Sequence, residues 1–406
     1  SVRAFASSSS SSAGSSSLAD RIEKTVANIK ARGGSDVFAR HVLENYTGHS
    51  VPTFAPVPYS SPVSTVNNGG DDNTIATMME QRHSLSDTEF YGHVKKISIV
   101  GCGKVGLGAA FAILNQGVAD CLALTDVNGE RLEGEIKDLR QGSAFYGHRA
   151  RIEGSTDYGV TADSDLVIIT AGVAQKPGES RLSLLGRNTA IMRSIIHPVL
   201  EHSPNATICV ATNPCDIMTA IAAKIAGPNV DPGRIFGSGT VLDSSRLQTL
   251  LGATLDVDAR DCRGYIIGEH GDSSVPVFSS VKVGGVPLLQ HGADPDPAHI
   301  AMHREVVDSA GDVICKKGYT NWAVGMACSH IAKAVIHNER RALTVSTCVR
   351  GLHGIEEDVF LSMPCIVDAN GVSRVVNLPL TEWETERLQQ SAKKIWEMQS
   401  TIWNEV

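Results

Sequence analysis

One junction constrains the fold more than any other part of this chain: a short apolar run, a glycine turn and an alanine-rich stretch in immediate succession. Val94 to Val100 reads as a buried strand. Gly101-Cys102-Gly103-Lys104-Val105-Gly106 reads as the turn. Leu107, Ala109, Ala110, Phe111, Ile113 and Leu114 then read as a helix. G-x-G-x-x-G between a strand and a helix has a physical logic. The first glycine permits the tight turn, the second lets backbone approach a pyrophosphate, and the third allows close helix–strand packing. The helix N-terminus offers free N–H groups and a partial positive charge. A second strand, Cys121 to Thr125, ends at Asp126, twenty residues after Gly106. A carboxylate there accepts hydrogen bonds from an adenosine ribose and repels a 2′-phosphate, which favours NAD over NADP.

Further apolar runs follow at Asp165–Thr170 and Thr207–Thr212, separated by helical stretches such as Gly186 to Leu200. Strands alternating with helices predict an α/β fold, a doubly wound parallel sheet of Rossmann type covered on both faces. Ligands then sit at the carboxyl ends of the strands, where the chain places Ala171-Gly172, Gln175 and Asn213.

Three downstream segments carry chemistry. Gly268-Glu269-His270-Gly271-Asp272-Ser273-Ser274 sets an imidazole on a glycine-bracketed turn after Tyr265-Ile266-Ile267. Histidine is the side chain that exchanges a proton near neutrality. Gly172 to Leu182 reads as a charged loop that ends at Arg181, where a helix can start. Asp243 and Arg246 stand three apart on one helical face. That spacing fits an intrahelical ion pair, and equally fits a carboxylate and a guanidinium turned into one cavity; it does not choose between them.

Taken together, these segments resemble the L-lactate/malate dehydrogenase family, and within it the L-lactate branch. The similarity covers residues 92–406. It is carried by Gly101 to Gly106, Ala171-Gly172, Gly178-Glu179-Ser180-Arg181-Leu182, Thr212-Asn213-Pro214, Gly237-Ser238-Gly239-Thr240, Leu242 to Arg246, Gly268 to Ser274 and Lys317 to Ala323. The resemblance implies His270 as the proton donor to a ketone oxygen, Asp243 as its partner, and Arg246 as the holder of the substrate carboxylate. It implies Arg181 as the group that polarises the carbonyl when the loop closes, Asn213 beside carbonyl and nicotinamide, and Thr320 on the pocket wall. Gly101, Gly103, Gly106, Asp126, Ala171, Gly172 and Asn213 would hold NAD. Malate-type members place arginine at the position of Gln175, so the neutral amide points to pyruvate and lactate, with oxaloacetate and malate as the alternative. Removing one partner of a buried ion pair costs ~3–5 kcal/mol. Ser273-Ser274 also fits the lactate branch. Where some bacterial relatives bind a sugar bisphosphate through arginine and histidine, this chain has Gln248 and Arg263, which argues against that activation. A homotetramer is the family's usual state.

Three segments are expected: an N-terminal extension over 1–91, an NAD-binding domain over 92–236, and an α+β substrate domain over 237–406. The formal charge of −8, with both signs interspersed, argues against a nucleic-acid partner. No apolar stretch approaches the ~18 residues a membrane span needs. The nine cysteines form no CxxC pair and read as buried free thiols, with no metal site expected. Ser1 to Ser17 is serine-rich and contains Arg3 and no acid. This is the composition of an organellar transit peptide, read as mitochondrial ahead of plastid or cytoplasmic. An amphipathic helix is expected over 18–32, a proline-rich linker after it, and a subunit-wrapping arm over 74–92. At the other end, a strand over 359–367 and a helix over 381–403 are expected. An NAD-binding glycosidase would need a metal-binding Cys/His constellation, and a non-catalytic scaffold would show a defective site. Every catalytic residue type of the dehydrogenases is present.

Overall fold

Six parallel strands build the first half of the molecule, the central ones buried and the edge strand largely not. In this computed structural model, residues 93–173, 181–289 and 293–403 are described, with Arg181 and Leu182 described in backbone only. The N-terminal extension, Gln175, Lys176 and the rest of the loop before Arg181 lie outside the described residues. Strands β1 (Lys96–Val100), β2 (Cys121–Thr125), β3 (Arg151–Ser155), β4 (Leu166–Ile169), β5 (Thr207–Val210) and β6 (Ile235–Gly237) alternate with helices α1 (Lys104–Gln116), α2 (Gly129–Gln141), α3 (Arg181–His202) and α4 (Cys215–Ala226). Their order in the sheet is β3-β2-β1-β4-β5-β6, the doubly wound order, with all pairings parallel. β2, β4 and β5 are buried along their whole length, as a sheet covered on both faces demands. Ile97, Ile99, Leu122, Leu124, Leu166, Ile168 and Ile208 are fully buried against Ala109, Ile113, Ile196, Met218 and Ile221 of the covering helices. Each such aliphatic side chain contributes about 1.5–3 kcal/mol on burial.

The second half continues the same sheet. Here the elements are α5 (Val241–Leu255), β7 (Cys262–Arg263), β8 (Ile266–Gly268), β9 (Ser274–Pro276), β10 (Lys282–Val283), β11 (Val286–Pro287), α6 (Pro297–Lys317), α7 (Trp322–Ile336), β12 (Arg341–Cys348), β13 (Phe360–Asp368), β14 (Gly371–Val375) and α8 (Glu382–Trp403). Antiparallel strands β12-β13-β8-β9 extend the sheet beyond β6, β14 adds to β13, and β11-β10-β7 form a separate small sheet. The residues from Lys95 onward form one compact unit.

The crossing from one half to the other is narrow. β6 and β12 share a single register pair, Gly237 with Ser346. A Cβ on Gly237 would lie 2.4 Å from the Thr219 hydroxyl and 2.9 Å from the Ser346 Cβ, so only glycine fits. Thr240 then fastens the chain: its N–H donates to the Ser362 hydroxyl at 3.0 Å and to the Thr344 carbonyl at 3.1 Å, and its hydroxyl donates to the Ile266 carbonyl. Gly237-Ser238-Gly239-Thr240 is thus a structural junction that sets where α5 begins. All nine cysteines are free, seven of them buried and Cys315 exposed.

Candidate active site

The glycine turn sits where β1 ends and α1 begins. Gly101 adopts φ +94°, which L side chains disfavour, and a Cβ there would lie 2.5 Å from the Ala171 backbone. A Cβ on Gly106 would lie 2.0 Å from the Gly101 carbonyl oxygen. Gly103 differs: nothing stands within 4 Å of its missing Cβ. The outer glycines are therefore required by packing, while the middle one leaves open space at the N-terminus of α1. That free concavity suits a diphosphate. At the end of β2, Asp126 accepts from the Cys102 N–H at 2.7 Å and from the Asn128 N–H at 3.0 Å. The carboxylate is thereby locked onto the glycine turn, at the place where a ribose would meet it. The donor set fits NAD.

β4 leads into Ala171-Gly172, between β1 and β5. The Ala171 N–H donates to the Val100 carbonyl at 2.9 Å, and the Ala171 carbonyl accepts from the Thr212 hydroxyl at 2.7 Å. Buried Asn188, on α3, then ties the strand ends together. Its Oδ1 accepts from the Val173 N–H at 2.9 Å and its Nδ2 donates to the Asn213 carbonyl at 3.2 Å. Asn188 lies in no motif that the sequence singles out, and Thr212, although part of Thr212-Asn213-Pro214, has no role that the sequence reveals.

The histidine turn connects β8 to β9. The His270 Nδ1 lies 2.5 Å from the Asp243 Oδ2, and the Arg246 guanidinium donates to the Asp243 Oδ1 at 2.7 Å. Both alternatives left open by the spacing hold together: Asp243 and Arg246 are ion-paired along α5, and both line one cavity with His270. The Asp243 side chain is 8 % exposed, that of Arg246 17 % and that of His270 24 %. Burial alone would lower the His270 pKa. The Asp243 carboxylate, its hydrogen bond and then the Asp216 carboxylate outweigh burial, so the pKa is raised. Burial likewise pushes Asp243 upward, but His270 and Arg246 outweigh it and hold the carboxyl below its ordinary range.

Two further carboxylates hold this turn: Asp216, which the sequence does not single out, and Glu269, which lies in the histidine motif but has no role legible there. Asp216, in the first turn of α4 and 2 % exposed, accepts from the His270 N–H at 2.7 Å and from the Ser346 hydroxyl at 2.6 Å. Burial pushes its pKa up to about 6 despite those hydrogen bonds. Glu269 accepts from the Ser273 N–H at 2.9 Å, from the Ser273 hydroxyl, and from the Lys394 ammonium at 2.9 Å. The Ser391 hydroxyl of α8 accepts from the Glu269 N–H at 2.9 Å.

The cavity has a volume of about 580 Å³. Asn213, Asp243, Arg246 and His270 line it, with Val307 and Gly311 of α6 on the facing wall. Leu184, three residues into α3 from Arg181, lines it too. Thr320, expected on this wall, lies between α6 and α7 and is not among the lining residues. Gln248 and Arg263 line a separate cavity, of about 800 Å³.

Comparison with known proteins agrees with this geometry. The family model described as lactate/malate dehydrogenase, NAD binding domain, matches residues 95–237, and the lactate/malate dehydrogenase alpha/beta C-terminal domain matches residues 240–405. The chain belongs to the lactate/malate dehydrogenase family. Among relatives, an L-lactate dehydrogenase A chain of Caiman crocodilus apaporiensis is 46 % identical over 320 residues, spanning 77 % of this chain and 96 % of that one. The L-lactate dehydrogenase A-like 6B of Homo sapiens is 43 % identical over 333 residues, 81 % of this chain and 87 % of that one. The crystal structure of a lactate dehydrogenase enzyme from a Medee basin deep-sea metagenome library superposes with a TM-score of 0.71 at 34 % identity, covering 76 % of this chain and 99 % of that one. As in this dehydrogenase family generally, the cofactor is NAD.

Proposed function

We propose that the protein is an NAD-dependent L-lactate dehydrogenase, interconverting pyruvate and (S)-lactate. One observation carries the reading: His270, paired with Asp243, faces a cavity in which Arg246 is the single permanent cation among the described lining residues. With the Nδ1 hydrogen given to Asp243, the Nε2 is the nitrogen that exchanges a proton with the substrate oxygen. Arg246 takes the substrate carboxylate, since a guanidinium matches it with two parallel hydrogen bonds. By family resemblance Arg181, the first residue of α3, is assigned the polarising of the carbonyl, and Asn213 completes the polar wall. NAD, when bound, supplies or accepts the hydride.

Charge supports a monocarboxylate. Among the described lining residues, Asp243, Asp272 and Asp308 stand against the single cation Arg246. A second substrate carboxylate would meet like charge, and Gln175 offers it no counter-ion. Pyruvate leaves only a methyl group to place. The matched relatives bear the lactate name, which agrees with this choice over malate.

Steady-state oxidation of NADH with pyruvate and with oxaloacetate, side by side, tests the reading. A kcat/KM preference for pyruvate of about 100-fold or more is expected, corresponding to a lost pairing energy of about 3 kcal/mol. Gln175→Arg should narrow or reverse the ratio. Equal or better turnover of oxaloacetate by the unaltered protein would overturn the assignment. The finer readings rest on family resemblance and composition: a homotetramer, a glycolytic or fermentative role, and a serine-rich leader addressing a mitochondrion ahead of a plastid or the cytosol.

A further inference from the structure

Asp243 explains how the His270 ring is oriented, but not what aims the backbone that carries it. The His270 main chain belongs to a short turn between two three-residue strands. Its N–H is spoken for by a residue 54 positions away, Asp216, whose other oxygen is held by the Ser346 hydroxyl of β12. We propose that Asp216 is a positioning residue for proton exchange, a second carboxylate that fixes the His270 main chain while lending its negative charge to the imidazolium. The proposal rests on His270 being the proton-exchanging group.

The argument turns on why this residue is an acid. Asparagine would satisfy the same geometry. Its Oδ1 would accept from the His270 N–H and its Nδ2 would donate to the Ser346 hydroxyl oxygen. An amide would also avoid the cost of burying a charge, which is large for an isolated carboxylate. Yet at 2 % exposure the position carries aspartate. No lysine or arginine is hydrogen-bonded to it among the described residues; its partners there are a hydroxyl and a backbone N–H. The α4 N-terminus relieves part of the cost. What remains is matched by the neighbouring imidazole, whose protonated form gains from the charge.

The charged groups around the pair come from three elements. From α5, Asp243 and Arg246 face His270; Asp272 of the turn and Asp308 of α6 line the same cavity. From the turn itself, Glu269 acts on Asp216, raising the cost of its ionisation. Asp243 is the larger of the two negative charges acting on the imidazolium but is shared with Arg246, and Asp216 adds a second that no arginine or lysine among the described residues hydrogen-bonds.

The test compares Asp216→Asn and Asp216→Ala with the unaltered full chain. The His270 ring is followed by NMR titration in the absence of substrate, and pyruvate reduction by its pH–rate profile. Removing the charge while keeping the hydrogen bonds should move the His270 titration to lower pH by about half a unit or more. The alkaline fall of kcat/KM for pyruvate should move with it. KM and the thermal midpoint should stay where they are, because the turn is still held. Asp216→Ala should in addition lower kcat about tenfold or more, by freeing the turn. An unmoved His270 titration in Asp216→Asn would overturn the proposal and leave Asp216 a structural residue. Should that variant fail to fold, Ser346→Ala carries the test. Loss of its hydroxyl disfavours the ionised carboxylate, so the His270 titration should fall by a smaller amount; no movement would again overturn the proposal. The titration needs no turnover, so it distinguishes failure here from failure of the lactate dehydrogenase reading.

Discussion

Asp243 shows how much one side chain is asked to do. One oxygen takes the His270 ring and the other the Arg246 guanidinium, so a single carboxylate sets both the proton donor and the carboxylate holder. Asp243→Asn should lower the His270 pKa, because it removes the larger of the two raising influences. The sign follows: pyruvate reduction needs the imidazolium, so its alkaline fall moves to lower pH; lactate oxidation needs the neutral ring, so its rise also starts lower. At pH 7.5 the kcat/KM for pyruvate should drop about 100-fold or more, the scale of general acid–base catalysis. A pH–rate profile of both directions checks this. At this scale the sequence was partly legible. Asp243, Arg246 and His270 stand in recognisable phrases. Asp216 did not, because an acid in the first turn of a helix is ordinary, and nothing local points it at a turn 54 residues on. The contacts that single it out are tertiary.

Elements were legible where burial is two-sided. β1, β2, β4 and β5 announce themselves as apolar runs because helices cover both faces. β3 (Arg-Ile-Glu-Gly-Ser) does not, since it is the edge strand and mainly Ile152 is buried. β12 (Arg-Ala-Leu-Thr-Val-Ser-Thr-Cys) hides for another reason: its polar residues Thr344 and Ser346 are buried and hydrogen-bonded, so pattern and burial disagree. α6, long and largely exposed, offers little apolar periodicity to read. The strand–turn–helix unit gives the prediction proper to this scale. Gly106→Ala would drive a methyl into the Gly101 carbonyl oxygen at 2.0 Å, forcing the turn apart. NADH affinity should fall about tenfold or more, with a loss of stability of about 1–3 kcal/mol. Fluorescence titration with NADH and thermal melts measure the two effects; an unchanged Kd would mean that the turn tolerates opening.

The whole molecule closes on itself through its last helix. α8 buries Leu388, Ala392 and Ile395 in the core while Ser391 and Lys394 reach the catalytic turn through Glu269. No reading of local pattern links residue 394 to residue 269. The ion pair is partly buried, and the Glu269 pKa is lowered because Ser273 and Lys394 outweigh burial. Lys394→Met should therefore leave a carboxylate short of its cation, cost about 1–3 kcal/mol and lower kcat several-fold. Thermal midpoint and turnover number, measured together, check it. Stability loss without any change in kcat would show that the turn does not depend on α8.

The seam at Gly237 and Ser346 carries a consequence of its own. The main chain of Ser346 stitches the antiparallel strands to the parallel ones, and its hydroxyl is the anchor beneath Asp216. The weld between the nucleotide half and the substrate half is therefore also the mount on which the histidine rests. Were the weld to slip by one residue, the mount would lose its bolt while most of each half kept its shape. Proton chemistry in this molecule is thus gauged against the joint itself, and a chain whose halves have not yet met has no aimed histidine to use.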